Sequence, residues 1–310
     1  MEIELSIVSP AFNEEGNIDP LCSELKKVCD QMQVTYEIII VDDFSSDDTW
    51  KIVSRISKEN SAVWGIHLLR NSGQMKAIQA GIQVANGAYI LTIDSDLQHP
   101  VELIPLLWEK RGVTGIVAGQ QESRNESFLK AKFSQYFYYI LRRLSGIAIP
   151  ANVGDFRLIR RDIAIDLMNA KEEKILRFLI PKYGYHSEIV TFKAHPRTTG
   201  ESKYSMFKML NLALASVTSI TTRPLYLSVA ISGICATVTF LDFCYAVFMW
   251  GTRGTTPGWT SLIGLISVGL TMIFSVLGIF GIYLGQIIKM LTSRAEIKVS
   301  EFTEGAQPRV

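Results

Sequence analysis

The residues with the most chemistry to offer are acids that stand directly after short apolar runs. Asp94-Ser95-Asp96-Leu97-Gln98-His99-Pro100 follows Tyr89-Ile90-Leu91-Thr92-Ile93. Asp94, Asp96 and Gln98 place two carboxylates and an amide oxygen at alternating positions, a hard, all-oxygen donor set suited to Mg2+ or Mn2+. A bare Asp-x-Asp is common, and alone it reads as a solvated turn. Here two other acidic segments accompany it. Ser9-Pro10-Ala11-Phe12-Asn13-Glu14-Glu15 ends the run that begins at Leu5, and Asp42-Asp43 ends the run 37–41. Such a crowd of carboxylates is unfavourable unless a cation or ligand donors compensate it. His99 adjoins the metal motif, where packing or capping is expected of it rather than ligation.

The elements that position these acids follow from periodicity. Strands are expected at 5–8, 37–41, 63–69 and 89–93, and amphipathic helices at 17–32, 48–60, 73–86 and 101–111. Later strands at 115–119 and 188–193 complete the set. This β-α-β-α rhythm builds a mostly parallel sheet covered by helices. Strands buried on both faces lack polar alternation, as 37–41 does. Ligands of open parallel sheets bind beyond the carboxyl ends of the strands, so the three acidic segments are expected on one rim.

Composition divides the 310 residues into two regions. Thirty-one basic against 30 acidic residues give a net charge of +1, without the basic excess of a nucleic-acid binder. Mean hydropathy is nevertheless +0.20, because charges are dense up to Lys208 and nearly vanish until Lys289. Segment 225–250 holds one charge, Asp242, and 259–288 holds none. Each exceeds the roughly 20 residues that cross a bilayer, which predicts two transmembrane helices joined by the turn 251–258. Lys203, Lys208 and Arg223 precede the pair and Lys289, Arg294 and Lys298 follow it. Both termini and the N-terminal domain are therefore expected in the cytoplasm, and the absence of a basic leader before the first strand agrees. Met206, Leu210, Ala213, Val217 and Ile220 recur at helical spacing, as in a helix lying at the membrane interface or one packed on a core. The expected organisation is a cytoplasmic domain at 1–203, an interfacial helix at 204–224, a transmembrane hairpin at 225–288 and a cytoplasmic tail at 289–310. The four cysteines, with no Cys-x-x-Cys among them, form no metal or redox pattern.

Taken together, the motifs resemble family 2 glycosyltransferases. The resemblance rests on the three acidic segments, on Asn71-Ser72-Gly73-Gln74-Met75-Lys76-Ala77 and on Ala85-Asn86-Gly87, in order and spacing. Gly154-Asp155-Phe156-Arg157-Leu158 and His195-Pro196-Arg197-Thr198-Thr199-Gly200-Glu201-Ser202-Lys203-Tyr204 point to the polyprenyl-phosphate branch, which includes bactoprenol glucosyltransferases. The resemblance implies a glycosyltransferase A-type nucleotide-sugar fold, a bound Mg2+ or Mn2+, and inverting transfer of a hexose to a membrane polyprenyl phosphate. UDP-glucose is the donor it favours, with mannose, galactose or aminosugar donors as alternatives. It places the protein in the bacterial inner membrane as a multi-pass enzyme; a homo-oligomer is compatible.

Carried over to this chain, Pro10, Phe12, Asn13 and Glu14 would border the nucleotide, and Asp42 or Asp43 would bond the base. Asp94, with Ser95 beside it, would meet the ribose or the metal, and Asp96 and Gln98 would ligate the metal. Lys76 would add charge beside the phosphates or remain a solvated lysine. Asp155 matches the position of the family's catalytic base. A phosphate monoester is already largely ionised at neutral pH, its second pKa being about 6, so an orienting role fits Asp155 as well. Arg197, Ser202 and Lys203, with Arg124, would hold the acceptor phosphate. A processive polysaccharide synthase is a weaker reading, because no Gln-x-x-Arg-Trp motif is present. A catalytically dead scaffold is disfavoured by intact Asp94, Asp96, Gln98 and Asp155.

Overall fold

The computed structural model describes residues 3–122, 143, 153–169, 176–193, 233–234, 237–238, 240–241, 248, 258–292 and 298–303. The chain divides into two compact units. One comprises Met1–Tyr139, Ile147–Lys203 and Ala295–Val310; the other comprises Ile140–Gly146 and Tyr204–Arg294.

In the first unit the sequence rhythm becomes β1 (Leu5–Ala11), α1 (Ile18–Met32), β2 (Tyr36–Asp42), α2 (Thr49–Glu59), β3 (Val63–Leu68), α3 (Gln74–Val84) and β4 (Tyr89–Thr92). There follow α4 (Ile104–Glu109), β5 (Ile116–Gln121), β6 (Val153–Arg160), α5 (Arg161–Met168), α6 (Leu176–Lys182) and β7 (Glu188–Phe192). The last strand, β8 (Val299–Phe302), lies in the region expected as a tail. The strands form one eight-stranded sheet in the order β7-β5-β6-β4-β1-β2-β3-β8. β3, β2, β1 and β4 are parallel neighbours, and β5 pairs in parallel with β7. β6 runs antiparallel between β4 and β5, and β8 antiparallel along the edge of β3. The sheet is thus mostly parallel, as expected, with two reversed strands that the periodicity did not announce.

β1 and β2 are apolar on both faces because both faces are covered. Leu5, Ile7, Ile38, Ile40, Leu91 and Phe156 pack with Ile18, Leu21 and Leu25 of α1. On the other face Val8, Ile39, Val41, Ile90 and Ile159 pack with Ala77 and Ile78 of α3 and Ile163 of α5. Each such aliphatic side chain, fully buried, contributes about 1.5–3 kcal/mol. α3 approaches β1 so closely that a Cβ on Gly81 would stand 2.3 Å from Val8 Cγ1. At the amino ends of the parallel strands one acid is buried. Glu37 accepts hydrogen bonds from Ser6 Oγ (2.5 Å), Trp64 Nε1 (3.0 Å) and the Asn86 backbone N–H (2.6 Å).

The described part of the second unit is mainly α7 (Trp259–Thr292), a 34-residue helix. Among the described residues it is the helix long and apolar enough to cross a membrane, its window Val268–Gly285 having a mean hydropathy of 2.0. The first predicted span, 225–250, and the predicted interfacial helix, 204–224, fall largely outside the described residues.

Candidate active site at the carboxyl ends of the strands

The sheet order changes direction at β1, between β2 on one side and β4 on the other, and the crevice of an open α/β sheet opens at such a point. Each of the loops leaving β1, β2 and β4 contains a non-glycine residue in the left-handed region: Asn13 (φ 56°), Phe44 (φ 65°) and Leu97 (φ 57°). Asparagine tolerates this conformation, whereas phenylalanine and leucine are strained in it. Backbone strain of this kind gathers where a site must be held in shape.

The β1 and β2 loops are sewn together. Asn13 donates its backbone N–H to Ser45 Oγ (2.9 Å) and accepts from the Ser46 N–H at Oδ1 (2.8 Å). The Glu14 N–H donates to Thr49 Oγ1 (2.9 Å). Asp42 is fully buried, with Oδ1 bonded to the Ser45 hydroxyl and Oδ2 to His67 Nδ1. Asp43 accepts from the backbone N–H groups of Ser72 and Gly73, both at 2.7 Å. Burial holds the Asp43 carboxyl above its ordinary range, against the pull of those two amides and of Lys76. The two acids expected to bond a base are thus both engaged by the protein itself. Phe12 and Phe44, about half exposed, are the apolar surfaces these loops present.

By fixing the Ser72-Gly73 backbone, Asp43 also aims the start of α3. Gln74 there donates from Nε2 to Asp94 Oδ1 (2.7 Å). Asp94 belongs with Asp96 and His99 to a group whose ligand atoms all lie within 4.8 Å of one another. Burial, then Asp155 and Asp96, push the Asp94 carboxyl up to about 7, with Glu14 adding to the effect and Gln74 opposing it. The donor set fits a hard divalent cation, and the crowding is what such a cation relieves. His99, expected to pack or cap rather than to ligate, is the third member of that group. It does pack, stacked on Phe156 at 5.0 Å, yet its Nδ1 lies 3.4 Å from the Asp94 backbone nitrogen, at the edge of the cluster. Burial lowers its pKa, which favours the neutral imidazole that metals bind. Gln98 gives its backbone N–H to Asp96 Oδ1 (3.1 Å), while its Nε2 is buried without a partner among the described residues.

Ser95 serves the frame. Its buried hydroxyl donates to the Pro10 carbonyl (2.9 Å) and meets Ser9 Oγ at 2.7 Å, tying the end of β4 to β1. Asp155 enters from β6, whose antiparallel course brings its amino end to the same rim. Thr92 Oγ1 of β4 bonds the Asp155 carbonyl. The carboxyl of Asp155 raises the pKa of Asp94, and its Oδ1 is buried and unpartnered among the described residues. The structure therefore brings Pro10, Phe12, Asn13, Glu14, Asp42, Asp43, Lys76, Asp94, Ser95, Asp96, Gln98 and Asp155 to the ends of four strands and the start of one helix. Arg124, Arg197, Ser202 and Lys203 lie outside the described residues.

Comparison with known proteins agrees with this geometry. The family model "Glycosyl transferase family 2" matches residues 6–168. A prophage bactoprenol glucosyl transferase homolog of Escherichia coli is 30% identical, covering 92% of this chain and 94% of its own length. An undecaprenyl-phosphate 4-deoxy-4-formamido-L-arabinose transferase of Shewanella sediminis is also 30% identical, covering 98% and 95%. The crystal structure of glucosyl-3-phosphoglycerate synthase from Mycobacterium tuberculosis with Mn2+, UDP and phosphoglyceric acid shares the fold at a TM-score of 0.51. It is 17% identical and covers 71% of this chain and 78% of its own. The rim of acids on a switched α/β sheet and the match over more than half of the sequence lead to one conclusion: the chain belongs to glycosyl transferase family 2.

Proposed function

We propose that this enzyme transfers a hexose, glucose from UDP-glucose, to the phosphate of a membrane polyprenyl phosphate with inversion at the anomeric carbon. The carrying observation is the compressed Asp94–Asp96 cluster, with Asp155 beside it, at the switch point of a family 2 sheet. The two relatives reported above differ in the sugar their names specify but share a polyprenyl carrier. Their agreement supports the acceptor more strongly than the donor.

In this reading Phe12 and Phe44 flank the nucleoside, and the loops shaped by Asp42 and Asp43 set its position. Asp94, Asp96, Gln98 and His99 would hold Mg2+ or Mn2+, which when bound neutralises charge on the departing diphosphate. Lys76 adds positive charge on the α3 side. Asp155 orients the acceptor, whose phosphate needs little help to ionise. Arg124, Arg197, Ser202 and Lys203 hold that phosphate near the bilayer, and 204–224 lies along the surface. α7 supplies one membrane span and 225–250 the other, with both termini cytoplasmic in a bacterial inner membrane. The exposure of α7 supports the membrane reading: Leu277, Leu284 and Ile287 are each more than half exposed, a poor surface for water and a good one for lipid.

The test is incubation of the purified protein with undecaprenyl phosphate and a panel of labelled nucleotide sugars, with and without Mn2+. Formation of a glycolipid is expected, most from UDP-glucose; none from any donor would remove this reading. Rate against pH for Asp155→Asn separates its two roles. Loss of a pH-controlled limb marks a base, and an unchanged profile at lower rate marks an orienting group.

A further inference from the structure

Arg157 is 2% exposed in the middle of β6, opposite Thr92 of β4 and Ala118 of β5. The β5–β6 register jumps from Ala118 opposite Arg157 to Gln120 opposite Val153. Gly119 alone therefore faces three residues, Gly154, Asp155 and Phe156. A bulge re-aims the side chain it carries, and here that side chain is Asp155. The bulge is built into the packing, since a Cβ on Gly119 would stand 2.6 Å from Phe156 Cδ1. Arg157 Nε donates to the Gly154 carbonyl at 2.8 Å, so the guanidinium satisfies a backbone group within the bulge.

The other arm of that guanidinium is unaccounted for. Arg157 Nη2 is buried without a hydrogen-bond partner among the described residues, and so are Asp155 Oδ1 and Nε of Arg177 on α6, which packs on β6. Burial draws the Arg157 pKa down to about 10, with Asp155 raising it and Arg177 lowering it further. The group thus stays charged at neutral pH. Two guanidiniums that sense each other, with open donors out of contact with water, form an arrangement completed by an anion.

We propose that Arg157 holds the Asp155 bulge through Nε and, together with Arg177, offers its open donors to a phosphate oxygen of a substrate. This rests on the reading that the site transfers a sugar between phosphate groups. The phosphate belongs either to the nucleotide diphosphate or to the lipid acceptor. Arginine suits the position because its planar fork holds separate donors at fixed directions, one toward a carbonyl and others toward a phosphate, whereas lysine offers a single compact ammonium.

The experiment uses the purified full chain and the variants Arg157→Lys and Arg177→Gln. Affinities for UDP with Mn2+ and for undecaprenyl phosphate are measured by titration, alongside KM, kcat and the thermal midpoint. The expected result is at least a tenfold loss of affinity for one ligand in Arg157→Lys and a severalfold loss for the same ligand in Arg177→Gln. The other ligand should change less than twofold. A loss confined to UDP assigns the donor diphosphate, and one confined to undecaprenyl phosphate assigns the acceptor. Both affinities unchanged while kcat or the midpoint falls would make Arg157 a structural residue and overturn the proposal. So would equal loss of both affinities with a lowered midpoint. If Arg157→Lys does not fold, unchanged affinities in Arg177→Gln overturn it alone. Glycolipid formation by the wild type is scored separately: a wild type that binds both ligands but makes none sinks the transfer reading and not this one. A wild type that binds neither sinks both.

Discussion

At the amino ends of the parallel strands, Glu37 is 4% exposed and its carboxylate is surrounded by donors: the Ser6 hydroxyl, the Trp64 indole and the Asn86 amide. At the carboxyl ends of the same sheet, Asp94 shares a tight space with Asp96 and Asp155, and Gln74 is the donor its side chain has found. Asp155 Oδ1 and Gln98 Nε2 are buried there without partners among the described residues. A saturated buried acid holds neighbouring strands together and asks for nothing more. An acid crowded by its own kind, with open polar atoms around it, is kept for a visitor. Residue type and burial alone do not separate the two cases; the supply of donors does.

Four measurements would break or sharpen that contrast. The largest effect is expected at the starved end. Asp96→Ala should lower kcat/KM about a thousandfold, the loss of several kcal/mol of charge stabilisation, with the thermal midpoint nearly unchanged. A large fall in the midpoint would mean that Asp96 belongs to the frame. Next, Glu37→Leu should reverse the pattern. It leaves buried donors without an acceptor and should destabilise by about 3 kcal/mol in a denaturation series, while activity at low temperature persists. Third, Mn2+ at a hundred times its dissociation constant should stabilise the wild type by about 2.7 kcal/mol and Asp96→Ala hardly at all. Equal stabilisation of both would place the ion elsewhere. The smallest effect is expected between the two ends: Gly81→Ala drives a methyl into Val8 and should cost about 2 kcal/mol without changing KM for either substrate.

Much of this was legible in the sequence where a local pattern carried it. The apolar runs at β1 to β4 declare a parallel sheet, and acids directly after them must share its rim. β6 was not legible as a strand, because Val153–Arg160 contains a glycine, an aspartate and two arginines and is broken by a bulge. Arg157 is buried and Asp155 half-buried by tertiary pairing that no window of sequence reveals. The role of the Asp42-Asp43 pair was legible in place but not in partner. Which carboxylate bonds His67 on β3 and which the Ser72 and Gly73 amides before α3 depends on residues 25 to 30 positions away. His99 was read as packing, and it packs; its proximity to Asp94 and Asp96 depends on the turn at Leu97, whose left-handed backbone a leucine does not advertise.

β8 carries a consequence for how the protein is made. Val299–Phe302 lies along the edge of β3, with the Gly65 N–H donating to Thr303 Oγ1 (2.9 Å) and Trp50 Nε1 bonded to Glu301. These contacts join residues some 240 positions apart, and α7 lies between them in the chain. A ribosome finishes β3 long before it reaches β8, and at 5–20 residues per second about 12 to 50 seconds pass between them. For that interval the edge of β3 is an open strand, the kind that invites pairing with another chain. The segment that closes it emerges after the apolar helix has been synthesised, so completion of the sheet is ordered behind synthesis of that helix.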